Sequence, residues 1–106
     1  MNDRELLELA AKAAGITLKW SSSDDVPPRI AKTWHNWNPL TDDGDALRLA
    51  VKLHIDIRQF MYRDRQMDCL VDRLGKGFVE RYTDDPYTAT RRAIVRAAAE
   101  IGTEMS

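Results

Sequence analysis

The chain has 106 residues, of which 43% are hydrophobic and 31% charged, with 16 basic against 17 acidic side chains and a formal net charge of -1. That length fits one domain with a modest core, and the composition excludes a disordered chain and a uniformly cationic binder of polyanions. Cys69 is the only cysteine, which excludes an internal disulfide framework and suits a reducing compartment.

The opening Asn2-Asp3-Arg4-Glu5 lacks the apolar core of a signal peptide. No apolar run approaches the ~20 residues that span a bilayer. A cytosolic protein without membrane contact is therefore expected. A net charge near zero also favours self-association unless apolar patches are covered.

Residues 3–14 carry a helical pattern. Asn2 or Asp3 is available to cap it and Gly15 to end it, while Leu6, Leu7, Ala10, Ala11, Ala13 and Ala14 form an apolar stripe. Ile16 to Trp20 alternates with period two and reads as a short strand. From about 21 to 40 the chain reads as an irregular loop, because Ser21-Ser22-Ser23-Asp24-Asp25 forms turns and Pro27-Pro28 excludes a helix interior. Within it, Arg29 to Thr33 suits a turn of helix or a short edge strand.

A second helix is expected from a cap at Thr41 or Asp42 to about Leu53. Its stripe is Ala46, Leu47, Ala50, Val51 and His54, widened by Leu49 and Leu53. Ile55 to Arg58 reads as a strand with room to run on to Tyr62, and Arg63-Asp64-Arg65-Gln66 as a charged turn. Met67 to Leu74 and Phe78 to Tyr82 read as strands around a three-residue hairpin loop, Gly75-Lys76-Gly77.

Asp85 and Pro86 are suited to the cap and first position of a last helix. Tyr87, Thr90, Ile94, Ala97, Ala98 and Ile101 form its stripe, and Gly102 ends it. The expected fold is a single α+β domain over residues 1–106. Its order is α-β-loop-α-β-β-β-α, with three helices packed on a small, mostly antiparallel four-stranded sheet.

Two segments carry a resemblance. Residues 37–53, beginning Trp37-Asn38-Pro39-Leu40-Thr41-Asp42-Asp43-Gly44-Asp45, and residues 85–99, beginning Asp85-Pro86-Tyr87-Thr88-Ala89-Thr90-Arg91-Arg92, resemble the central and closing helices of the phage ABA sandwich domain family. The related NinX-like phage proteins share the layout. The excursion from Arg58 to Met67 is longer and more charged than the hairpin usual there. The resemblance implies an α/β/α sandwich and a phage or prophage origin, and it implies no reaction.

The most unusual cluster is Trp34-His35-Asn36-Trp37. Tryptophans beside an imidazole can anchor a peptide or stack on a base. Alternatively, Trp37, Trp34 and Trp20 wedge the loop against the core. Arg92 and Arg96 share a face of the last helix at i,i+4, and Arg58, Arg63 and Arg65 add to the basic content. Acidic neighbours interleave with these arginines, as on an ordinary solvated face.

Trp34, His35, Asn36, Arg92 and Arg96 are thus the candidate interaction surface. Asp42-Asp43-Gly44-Asp45 lacks the ligand spacing of a calcium loop and reads as helix capping. His35, His54 and Cys69 follow no zinc-site spacing, so no metal is expected, and Cys69 reads as a packed strand residue. There is no phosphate loop, nucleophile elbow or paired-carboxylate motif, so no catalytic set and no cofactor are expected.

The function expected is a non-enzymatic accessory protein that binds a protein partner. A nucleic-acid module using the arginines and a stacking tryptophan is the alternative, followed by a small enzyme with an unrecognised site. A homodimer is expected separately, from self-pairing of an uncovered sheet face or edge.

Overall fold

The computed structural model describes residues 2–22, 26–61, 67–73, 76–81 and 85–105. Its elements are α1 (Asp3–Ala14), β1 (Leu18–Lys19), β2 (Arg29–Ile30), α2 (Asp43–Lys52), β3 (Asp56–Met61), β4 (Met67–Arg73), β5 (Lys76–Arg81) and α3 (Pro86–Glu104). The class is mixed α+β, with three helices and antiparallel strands. Among the described residues no helix is long and apolar enough to cross a membrane.

The strands do not join into the single four-stranded sheet expected. β3, β4 and β5 form an antiparallel meander, while among the described residues β1 pairs with β2 in a separate ribbon. β4 pairs Arg73 with Lys76 of β5, so Lys76 and Gly77 belong to the strand and not to a loop. The expected turn at residues 63–66 and the loop residue Gly75 lie outside the described residues.

The layering also differs from an α/β/α sandwich. α3 packs against α1, α2, β4 and β5. Ala93, Ile94, Val95, Ala97, Ala98 and Ala99 are all buried. Three consecutive buried residues sweep about 200° of a helix, so α3 is covered nearly all round, as befits a middle layer. The helix at the centre has mostly small side chains, which lets its neighbours approach closely.

Gly102 shows how close. It does not terminate α3; it lies inside the helix and is buried. A Cβ built there would stand 2.0 Å from the carbonyl oxygen of Leu9 on α1. The glycine is needed for the helix crossing.

Helix ends follow local chemistry. The Asn2 side chain accepts from Glu5 N, and Gly15 takes φ 72 with its N–H on Lys12 O while Ile16 N donates to Ala11 O. Together these two bonds make a Schellman motif. α2 ends in the same way. His54 N donates to Val51 O and Ile55 N to Ala50 O, with His54 at φ 56.

His54 is therefore an exposed left-handed closing residue and not part of the apolar stripe. A side chain at positive φ costs about 1 kcal/mol that glycine avoids. His54→Gly is expected to raise stability by about 0.5–1 kcal/mol, read from the urea midpoint. A loss of stability would mean that the imidazole makes a contact that outweighs the strain.

The α3 cap is Asp85, as expected, with Pro86 at the first position. The Thr88 hydroxyl donates to the Asp85 carboxylate at 2.6 Å and Tyr87 N at 3.0 Å. These bonds, the Thr88 hydroxyl first, hold the carboxyl below its ordinary value of 3.8. Because the folded pKa is the depressed one, the cap's contribution is complete above the unfolded value and is lost as pH falls through the folded one. The stability gap between wild type and Asp85→Asn is expected to close as pH drops below 3.8. A gap that is constant with pH would contradict this.

The apolar faces of α2 and α3 are rotated from the expected stripes. Ala46, Leu49, Ala50 and Leu53 are buried, whereas Leu47 and Val51 are exposed at 60% and 67%, and so is Tyr87 at 67%. The apolar arc of α2 is wider than its contact with α3, so part of it stays in water.

Candidate functional site

The segment read as an irregular loop is a compact three-segment antiparallel arrangement. Leu18 pairs with Ile30 and Lys19 with Arg29. On its other side, Arg29 bridges Asn36, Ile30 N donates to His35 O and Trp37 N donates to Pro28 O at 2.8 Å. β2 is thus the central segment, with its neighbours on both edges.

Side-chain alternation then sorts the ribbon. Leu18 and Ile30 pack against the core, and Trp37, Pro28 and Pro39 are buried beneath. The residues in between, Lys19 and Arg29, point the other way and are exposed. Two cations therefore face each other directly across the ladder, an unfavourable arrangement on its own. Among the described residues neither has an ion-pair partner.

The turn from β2 back toward Asn36 puts a tryptophan at its tip. Ile30 O accepts from both Thr33 N and Trp34 N, and Trp34 has φ 63. The left-handed region is strained for a bulky side chain, yet Trp34 is 63% exposed and gains little burial for that cost.

Trp34, Lys19, Arg29 and Trp20 line one hollow of about 290 Å³. Trp20, Ser21, Val26 and Pro27 are shared with a larger cleft of about 830 Å³, which continues to Arg4 and Asn38. The guanidinium of Arg4 lies 4.4 Å from the centre of the Trp20 ring, within cation–π range, and Trp20 Nε1 donates to the Glu8 carboxylate. One open groove thus runs from Trp34 past Trp20 to the start of α1, with the cations Arg29, Lys19 and Arg4 along it.

The far wall of the groove is fixed by the turn before α2. Asp42 caps that helix by accepting from Asp45 N, as the capping reading expected. Asp45 is buried and accepts from Asn38 N at 3.0 Å and from Arg48 at 2.7 Å. The Asn38 side chain accepts from Leu40 N. This turn owes its shape to a carboxylate whose partners are all in place.

The structure divides the expected surface. His35 and Asn36 are exposed but line a different hollow, with Ala14, Asp45 and Lys52, that Trp34 does not share. Arg92 pairs with Asp3 at 3.3 Å and Arg96 with Glu80 at 2.5 Å. Arg91 is bound still more fully, to Leu40 O, Asp43 and Thr88. The α3 arginines thus tie α3 to α1, α2 and β5. No described contact brings them to Trp34.

Lys19 and Arg29 were missed in sequence because their meeting depends on pairing between strands ten residues apart. Arg29 to Thr33 suited a short edge strand as well as a turn of helix, and the structure makes Arg29–Ile30 a strand, but nothing in the sequence named Leu18-Lys19 as its partner. Cys69 lies in β4. Among the described residues, no group of three or more histidine, cysteine, aspartate or glutamate side chains is arranged to hold a metal ion.

Fold and site together define a small three-helix α+β domain that carries an aromatic and cationic groove on a β-ribbon. No family model, curated protein or solved structure matches the chain.

Proposed function

We propose that this protein is a small non-enzymatic accessory protein that works by binding another protein, receiving an extended acidic segment of it along the groove from Trp34 to Arg4. One observation carries the proposal. Lys19 and Arg29 face each other without a carboxylate among the described residues, beside a tryptophan held exposed in a strained conformation. A patch that breaks several local rules at once is where binding function concentrates.

A carboxylate between Lys19 and Arg29 relieves their repulsion, and the indole faces of Trp34 and Trp20 take the apolar part of the ligand. A phage or prophage origin and action in the bacterial cytosol belong to the same proposal. The origin rests solely on the resemblance of residues 37–53 and 85–99 to the phage sandwich family. Single-stranded nucleic acid is the competing occupant, because an exposed tryptophan among cations also stacks bases. The pairing of Arg91, Arg92 and Arg96 with acids leaves that reading a small electrostatic footprint.

The test titrates two probes, an acidic peptide containing proline and leucine and a single-stranded oligothymidine, at low and at physiological salt. Binding of the peptide is expected. Trp34→Gly is expected to weaken it about thirtyfold, the effect of losing a hot-spot tryptophan worth ~2 kcal/mol. The same variant is expected to be as stable as wild type or more so, because glycine accepts the left-handed conformation. Lys19→Glu or Arg29→Glu is expected to abolish peptide binding. Preference for the oligothymidine with steep salt dependence would replace the proposal with the nucleic-acid reading, and binding indifferent to Trp34 would overturn both.

A further inference from the structure

We propose that a second copy of this chain docks on the free edge of β3, antiparallel and centred on Ile57, to give a symmetric homodimer with a continuous sheet. The interface is separate from the Trp34 groove and does not rest on it.

β3 is an edge strand whose ladder partner is β4, and among the described residues no strand pairs with the backbone groups of its other edge. Edges are ordinarily blunted by charged side chains, lysine above all, by proline or by a bulge. The sequence Asp56-Ile57-Arg58-Gln59-Phe60-Met61 has no lysine or proline and its register with β4 runs without interruption, so its only such device is the opposite-charge pair Asp56 and Arg58. Asp56, Ile57 and Arg58 are exposed in succession. Successive strand residues point to opposite faces, so both faces are at least partly open at this end, with Ile57 36% exposed on the helix side.

On the helix side Ile57 lines a hollow of about 440 Å³ with Ala46, Leu47, Tyr87 and Ile94. Of the unburied arc of α2, Leu47 lies here.

Charge selects the occupant and its register. In the register of the β3–β4 ladder Asp56 stands opposite Asp72, so its own sheet offers it no basic residue at that rung. Neither Asp56 nor Arg58 has an ion-pair partner among the described residues. When β3 pairs with itself about Ile57, Asp56 falls opposite the partner's Arg58 and Arg58 opposite the partner's Asp56. The neighbouring symmetric registers, centred on Asp56 or on Arg58, set like charges against each other. β3 is thus complementary to a second copy of itself in one register, as an isologous interface requires. The same pairing brings the two apolar hollows, each containing Ile57 and Tyr87, to either side of the axis.

Light scattering after gel filtration at micromolar protein tests this. Wild type is expected at twice the chain mass of 12.1 kDa. Arg58→Asp places acid against acid on both rungs and is expected to weaken the dimer at least about tenfold. The double exchange Asp56→Arg with Arg58→Asp restores complementarity and is expected to restore the dimer. If Arg58→Asp loses its helical circular dichroism, Ile57→Cys in a Cys69→Ser background decides, since it forms an intermolecular disulfide under mild oxidation only in this register. A monomeric wild type, a dimer indifferent to Arg58→Asp, a double exchange that stays monomeric or an Ile57→Cys chain that does not cross-link would each overturn the proposal.

Discussion

Gly102→Ala is expected to lower stability by about 3 kcal/mol, the upper range for forcing an extra carbon into a close-packed site. Helix propensity alone argues the other way, since alanine inside a helix is favoured over glycine by about 1 kcal/mol. Packing decides the sign. The added carbon would lie 2.0 Å from Leu9 O and 2.8 Å from Leu9 C. Those atoms are backbone, so no side chain can rotate aside and the two helices must separate.

Separation opens the seam between α1 and α3, where Ala10, Ala11, Ala14, Ala97 and Ala98 are buried, and dispersion contacts fall steeply over a gap of even 1 Å. For a domain of this size the loss corresponds to a fall in melting temperature of roughly 15 °C, followed by circular dichroism. An unchanged or higher melting temperature would show that α1 and α3 do not cross at Gly102.

The second large effect is expected at Trp37. Its side chain is 3% exposed and belongs to the core formed by α1, α2 and α3, and its N–H bonds Pro28 O. Truncation to alanine removes the largest side chain in that core and leaves a cavity under the ribbon. The expected cost is about 4 kcal/mol, seen as a lower urea midpoint with an unchanged slope. Trp34 is three residues away and exposed, so Trp34→Ala is expected to change stability by less than about 0.5 kcal/mol. Equal losses at the two positions would mean that Trp34 is also a core residue.

These two tryptophans show why the site was only partly legible. Their local sequence, Trp34-His35-Asn36-Trp37, does not distinguish anchor from core. The distinction comes from the hydrogen bonds that fold residues 28–37 back on themselves, turning Trp37 inward and leaving Trp34 at the tip. The cluster was recognisable as unusual, but its cationic companions were not. The arginines that did stand out, Arg92 and Arg96, are held by Asp3 and Glu80, which are distant in sequence from Arg92 and on another element from Arg96.

Several features were determined by sequence alone. The three helices, the three main strands, the cap Asp85 and the closing Gly15 follow from short-range chemistry, and the other two caps were narrowed to Asn2 or Asp3 and to Thr41 or Asp42, of which the structure uses Asn2 and Asp42. Each depends on a residue and its neighbours within one turn or one alternation. Tertiary structure decided the rest. It set which part of the wide apolar arc of α2 is buried, placed α3 in the middle layer, made Gly102 a crossing point instead of a terminator, and brought Lys19 and Arg29 together beside Trp34. Each of these depends on how closely segments far apart in the chain approach, and periodicity along the chain carries no information about that distance.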